Sequence, residues 1–333
     1  MKKLLVLIAA SMTSSLFLYT LVSMDQPARH PALGATELPP LIAVHDFYGA
    51  PEGEQDNGTA TPDLEITWQS RTCLERENTG RLTLPQTKSN PGPLPAVILV
   101  NDGGAVNTWP DSAREGRFLA NRGYVVLSID CPSLAEPDPA VAEQAAQRSD
   151  RCTENTIADG ARRLVDQGIA DPAALAVIGS GFGGYAALRT MSAEPGLFKA
   201  ALVHSPVIDP SVTGNVQEVA AQTCSTQLDI DQATETYAAG SPSDLLNSIQ
   251  GAVLLTHGEA GTGAGTEQTE LYSRDLLYAG KDIEVIYFSA EEPGDYRWQT
   301  RVQIARLTES FLARHLGGRN GGYDYIEFLA KLF

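Results

Sequence analysis

Residues Ile178 to Leu188 read IGSGFGGYAAL, and the fold follows from how this stretch is parsed. An apolar run, Leu175-Ala176-Val177, precedes it and a helical pattern follows. A strand, a sharp glycine-rich turn and a helix make a nucleophile elbow, in which a residue between two glycines is held at the tip of the turn. Gly179 and Gly183 supply those two glycines. The position between them holds Gly181, which has no side chain to present.

Working outward, the chain alternates strand-like and helix-like segments. Strands are predicted at Ile66–Gln69, Arg81–Leu84, Ala96–Asn101, Tyr124–Asp130, Leu175–Ile178, Ala200–His204, Ala252–His257 and Ile283–Phe288. Runs such as AVILV and AVLLT are apolar throughout, as parallel strands buried on both faces require. Helical patterns fall at Ser112–Asn121, Thr156–Gln167, Gly183–Ala193, Glu267–Ala279 and Gln299–His315. In the last, Ile304, Leu307, Phe311 and Leu312 share one face. The class is α/β, a mostly parallel central sheet with helices on both faces. The long polar segment Asp209–Leu245 reads as a small lid or an irregular excursion.

With 333 residues, 43% of them hydrophobic, the chain is long enough for one large core. Lys and Arg number 24 against 41 Asp and Glu, a net charge of −17. A surface this acidic excludes a phosphate-tracking nucleic-acid binder. Lys2 and Lys3 followed by the apolar stretch Leu4–Met24 read as an export signal, either cleaved or retained as a membrane anchor. The expected organisation is a leader over 1–24, a Pro-rich linker over 25–40, an α/β domain over 41–317 and a tail over 318–333. The body is therefore expected outside the cytoplasm, periplasmic or extracellular. Four cysteines in an exported chain allow two disulfides. Cys131 and Cys152 flank one insertion, which pairs them and leaves Cys73 with Cys224; four unpaired thiols are the other reading. No cysteine or histidine spacing suggests zinc, and no cofactor is implied.

From Ile66 to Gly317 the chain resembles the catalytic domain of the prolyl oligopeptidase family of serine hydrolases. PGPLPAVILVNDGG, residues 91–104, resembles the strand leading to the family's H-G-G-P loop, with Asn101-Asp102-Gly103-Gly104 in its place. RRLVDQGIADPAALAVIGSGFGGYAAL, residues 162–188, follows the family's helix, Asp-Pro turn and elbow. Residues 241–288 follow the segment that leads past the catalytic aspartate. The resemblance implies an α/β-hydrolase fold and peptidase or esterase ancestry. The β-propeller that many members carry is not expected in the residues ahead of this domain.

The same resemblance implies that all three triad positions are replaced. Phe182, Gly183, Gly184 and Tyr185 set the register of the elbow and leave Gly181 at the serine's place. His257, Gly258 and Glu259 match the start of H-G-x-x-D, and Gly261 holds the aspartate position. In the turn SAEEPGDYR, Pro293 stands where the histidine belongs. A serine needs a base to take its proton, and the base needs a third group to orient it. Glycine and proline supply none of these, so a binding or scaffold role through the retained pocket is expected. The alternative is a working hydrolase with displaced groups, for which Ser180 is the substitute nucleophile. Ser180 is one position early, and its side chain should point away from the slot.

Other expectations concern the pocket rim. Gly103, Gly104, Phe182 and Gly183 are placed at an anion-binding corner beside the helix N-terminus. Acidic residues Asp102, Asp130, Asp209, Glu259, Glu291, Glu292 and Asp295 follow the strand ends, and of these Asp102, Glu259, Glu292 and Asp295 make a candidate acidic pocket for a cationic ligand. Solvated loop acids are the plainer account of the same residues. The partner is an unidentified small molecule or peptide, with a membrane tether supplied by the leader where it is retained. The tail carries Tyr325, Phe328, Leu329 and Phe333, a stripe that docks on the body or on a partner.

Overall fold

A computed structural model of the chain describes residues 63–71, 77–86, 92–101, 112–130, 154–209, 246–260, 264–289, 291–292 and 296–321. The leader, the linker, the four cysteines, the tail beyond 321 and all of the expected lid except Asp209 lie outside the described residues.

The described strands form one sheet. They are β1 (Asp63–Gln69), β2 (Glu77–Thr83), β3 (Leu94–Asn101), β4 (Val125–Asp130), β5 (Ala170–Ser180), β6 (Ala200–His204), β7 (Ala252–Gly258) and β8 (Asp282–Phe288), in the order β1-β2-β4-β3-β5-β6-β7-β8. β2 pairs antiparallel with both β1 and β4, and every later pairing is parallel. The helices are α1 (Ser112–Asn121), α2 (154–166), α3 (Gly181–Ala193), α4 (Ala264–Tyr278) and α5 (Trp298–Leu316).

Alternation along each strand divides the core in two. Val97, Leu99, Ala176, Ile178, Leu202 and Leu254 face a layer that includes Phe118 of α1 and Phe311 and Leu312 of α5. Ile98, Val100, Leu175, Val177, Val203 and Leu255 face the opposite layer, with Ile157 of α2, Leu188 of α3 and Tyr272 of α4. Successive side chains of a strand point to opposite faces, so a run that is apolar at every position must be covered on both. The runs AVILV and AVLLT are covered in this way.

The boundaries differ from the expectations where side chains intervene. The Asp-Pro turn expected before β5 lies inside the strand, as a bulge between Ala170, which pairs with Leu94, and Leu175, which pairs with Ala96. There the Ala173 N–H donates to Asp171 Oδ1 at 2.8 Å, a local turn that takes Pro172 out of the ladder. α3 begins at Gly181 and not Gly183, so the helix starts on the tip of the turn.

A buried ion pair joins the α1–β4 turn to α5. Arg122, just after α1, donates from Nε to Glu309 of α5 at 2.8 Å, and both side chains are 0% exposed. Glu309 also accepts from Arg306 at 2.7 Å and from the Gly321 N–H at 2.7 Å. The Arg319 N–H donates to the Arg122 carbonyl at 2.9 Å, so residues 318–321, the start of the expected tail, are bonded to the body. Removing one member of such a pair leaves the other charge buried without compensation. Glu309→Ala is therefore expected to lower unfolding stability by about 3–5 kcal/mol, measured by urea denaturation. A loss below ~1 kcal/mol would mean that the pair contributes little beyond a surface ion pair.

Candidate active site

Three close approaches build the elbow, and each accounts for one glycine. A Cβ on Gly179 would stand 2.2 Å from the Gly183 carbonyl oxygen, and one on Gly183 would stand 2.4 Å from the Val100 carbonyl oxygen. At Gly184 the obstacle is Pro206, whose Cβ would lie 2.9 Å away. The first turn of α3 is thus pressed against β5, β3 and the segment after β6. Gly181 itself has φ of +51°, the left-handed region in which a residue with a Cβ is strained. Its carbonyl accepts from the Val207 N–H at 3.0 Å.

Ser180 precedes the tip with extended backbone angles, φ −119° and ψ 153°, and its side chain makes no capping hydrogen bond to the helix. On the adjacent strand its register partner is His204. The His204 ring is 1% exposed and its Nδ1 lies 2.8 Å from Thr256 Oγ1 on β7. His257 is 2% exposed, with Nδ1 3.2 Å from Thr269 Oγ1 on α4. Both Nδ1 contacts run to threonines. Burial lowers both imidazoles from 6.5 to about 4, so both are neutral at pH 7.

The acids expected at the rim take different places. Glu259 accepts from Ser289 Oγ at 2.9 Å, and Glu292 is exposed. Glu291, weighed only as one more strand-end acid, is 4% exposed and accepts at 3.0 Å from the Arg297 N–H, at 2.7 Å from Thr300 Oγ1 and at 2.6 Å from Arg297 Nε. Burial pushes this carboxyl up, but those three bonds together outweigh it and hold the group below its ordinary range. Glu291 therefore closes the N-terminal end of α5. Phe182 stacks on Tyr185 at 5.2 Å between ring centroids. Asp102, Gly103, Gly104, Gly261, Pro293 and Asp295 lie outside the described residues.

Two residues that the sequence reading did not single out meet here. Ser205 has φ of +41° and is the one non-glycine residue with positive φ among the described residues. Its Oγ lies 2.6 Å from the Tyr296 hydroxyl. The only trace of this in the sequence is the Ser205-Pro206 pair after an apolar run, an ordinary turn signal.

Comparison with known proteins places these features in context. Residues 110–319 match the model of the prolyl oligopeptidase family. The chain is 26% identical over 278 residues to a probable chloroplastic glutamyl endopeptidase of Oryza sativa subsp. japonica, covering 76% of this chain and 28% of that protein. It is 25% identical over 260 residues to dipeptidyl aminopeptidase BIII of Pseudoxanthomonas mexicana, covering 72% of this chain and 36% of the relative. The chain thus spans about a third of the length of these relatives. Among solved structures, a puromycin-hydrolyzing peptidase of Mycobacterium tuberculosis aligns with a TM-score of 0.65 and 21% identity, over 81% of this chain and 42% of that one.

The buried histidines generate a test. Both have lower proton affinity in the folded state than unfolded, so their contribution to stability is complete above pH 6.5 and is lost as pH falls toward about 4. The urea midpoint should fall across that interval, and His204→Asn and His257→Asn should each flatten the slope. An unchanged slope in both variants would contradict the assignment.

Proposed function

The chain belongs to the prolyl oligopeptidase family, and from that premise we propose that it is an exported member without serine-hydrolase activity that binds a small molecule or peptide in its retained pocket. The carrying observation is Gly181 at the left-handed tip of the elbow. The turn that presents a nucleophile is there, and the residue at its tip has no atom that can attack a carbonyl. Gly261 and Pro293 at the aspartate and histidine positions support the same conclusion from the sequence. A nucleophile, a base and an orienting group act as a unit, so a chain lacking all three keeps at most binding and backbone N–H donors.

Glycine also fits the tip better than serine does. A residue with a Cβ in this region costs about 1–3 kcal/mol, which an active hydrolase bears because the strain presents its nucleophile. Once catalysis is gone, glycine keeps the same turn without that strain. The α3 N-terminus still directs N–H groups into the corner beside the tip, where a carbonyl or carboxylate of a ligand would be held. Export rests on Lys2, Lys3 and the apolar stretch Leu4–Met24, which either is cleaved or tethers the body to the membrane. The acidic surface, net −17, disfavours nucleic acid as a partner.

The relatives are named as peptidases, so chromogenic peptide and ester substrates test the reading. Turnover by the full chain is expected to match buffer alone, against roughly 1–1,000 s⁻¹ for ordinary enzymes. Gly181→Ser is expected to be equally inactive, because it restores a hydroxyl without a base. Turnover by the unaltered chain that resists further purification would show that displaced groups sustain hydrolysis. Activity in Gly181→Ser alone would show that a base and its orienting partner survive.

A further inference from the structure

We infer that Ser205 is a hydroxyl pin that locks the described residues just after β6, the end of β7 and Tyr296 to one another beside the elbow. The inference holds whether or not the elbow is catalytic, because it concerns how the segments beside the elbow are held.

A serine with φ of +41° sits where glycine would be unstrained. Such outliers persist only when their surroundings over-determine them, and here the bonds are explicit. The Ser205 N–H donates to the Thr256 carbonyl at 2.7 Å. Its Oγ lies 2.6 Å from the Tyr296 hydroxyl, and it accepts from the Gly258 N–H at a longer 3.3 Å. Thr256 and Gly258 belong to the end of β7, and Tyr296 belongs to the connection from β8 to α5. Tyr296 is 2% exposed, with its ring edge against Phe288 at 6.1 Å, so the phenol is a fixed partner.

The next two residues carry the lock to the elbow. Pro206 fills the space that a side chain on Gly184 would need, and the Val207 N–H holds the Gly181 carbonyl at 3.0 Å. A second set of bonds joins the β7 and β8 ends directly. The Glu259 N–H donates to the Phe288 carbonyl at 3.0 Å, and the Ala260 N–H donates to the Glu291 carbonyl at 2.9 Å. The backbone ladder of the sheet ends at His204, Gly258 and Phe288. Beyond that line the ties are these few backbone bonds and single side chains, and among the described residues the Ser205 hydroxyl reaches β7 and the β8–α5 connection together.

Two serine variants separate the hydroxyl from the backbone strain. Ser205→Gly relieves the φ and removes the hydroxyl, whereas Ser205→Ala keeps the φ and removes the hydroxyl. Tyr296→Phe deletes one oxygen from a ring that stays packed, so it serves as the test if the serine variants do not fold. Hydrogen exchange read by mass spectrometry on peptides spanning Thr256–Ala260 and Ser205–Asp209 is the measurement. The pin predicts at least a ~tenfold faster exchange, the order expected for one lost local bond, in all three variants, with Ser205→Gly combined with Tyr296→Phe no faster than Ser205→Gly alone. Wild-type exchange in Ser205→Gly and Tyr296→Phe, or additive effects in the double variant, would overturn it and leave Ser205 an ordinary turn residue.

Discussion

The approach of α3 to the sheet sets the rest of the geometry. A carbonyl oxygen of β3 and the backbone of β5 lie so near the first turn of α3 that no Cβ fits on Gly179 or Gly183. Interiors of this density do not absorb even a methyl group without rearrangement. That contact holds the left-handed tip at Gly181, aims the helix N-terminus beyond the strand ends and brings Pro206 against Gly184. The requirement for glycine at the flanking positions is steric and independent of catalysis. A family member can therefore lose its nucleophile and keep the elbow.

Several described groups around the tip carry structural contacts. His204 and His257 contact threonines on β7 and α4, Glu259 is bonded across to Ser289, and Glu291 closes the end of α5. Burial keeps both imidazoles neutral, and the Nδ1 of His204, the register neighbour of Ser180, is directed to β7. A base must lie within hydrogen-bond reach of the proton it takes. The described histidines meet burial and neutrality, and they spend their Nδ1 contacts elsewhere.

Much of the fold was legible in the sequence because its signals are local or periodic. Uniform apolar runs announced strands covered on both faces, and glycine spacing announced the elbow. The bulge inside β5 was not legible, since an Asp-Pro pair reads as a terminator whether or not the strand resumes after it. Glu291 was one acid among several until Arg297 and Thr300 came round to it. Ser205 was hidden for a similar reason: its meaning depends on Tyr296, which is distant in sequence and has no periodic relation to it. Long-range hydrogen bonds between single side chains leave no pattern in the chain, whereas packing leaves one.

The central claim, that the elbow of this chain carries no working nucleophile, is tested most directly by a fluorophosphonate probe that bonds covalently to activated serines. The full chain would be treated beside an active family member, and any adduct mapped by mass spectrometry. The account predicts labelling of the active relative and none of this chain. A heat-sensitive adduct on a single serine, Ser180 or Ser205 among them, would contradict it and identify a relocated nucleophile.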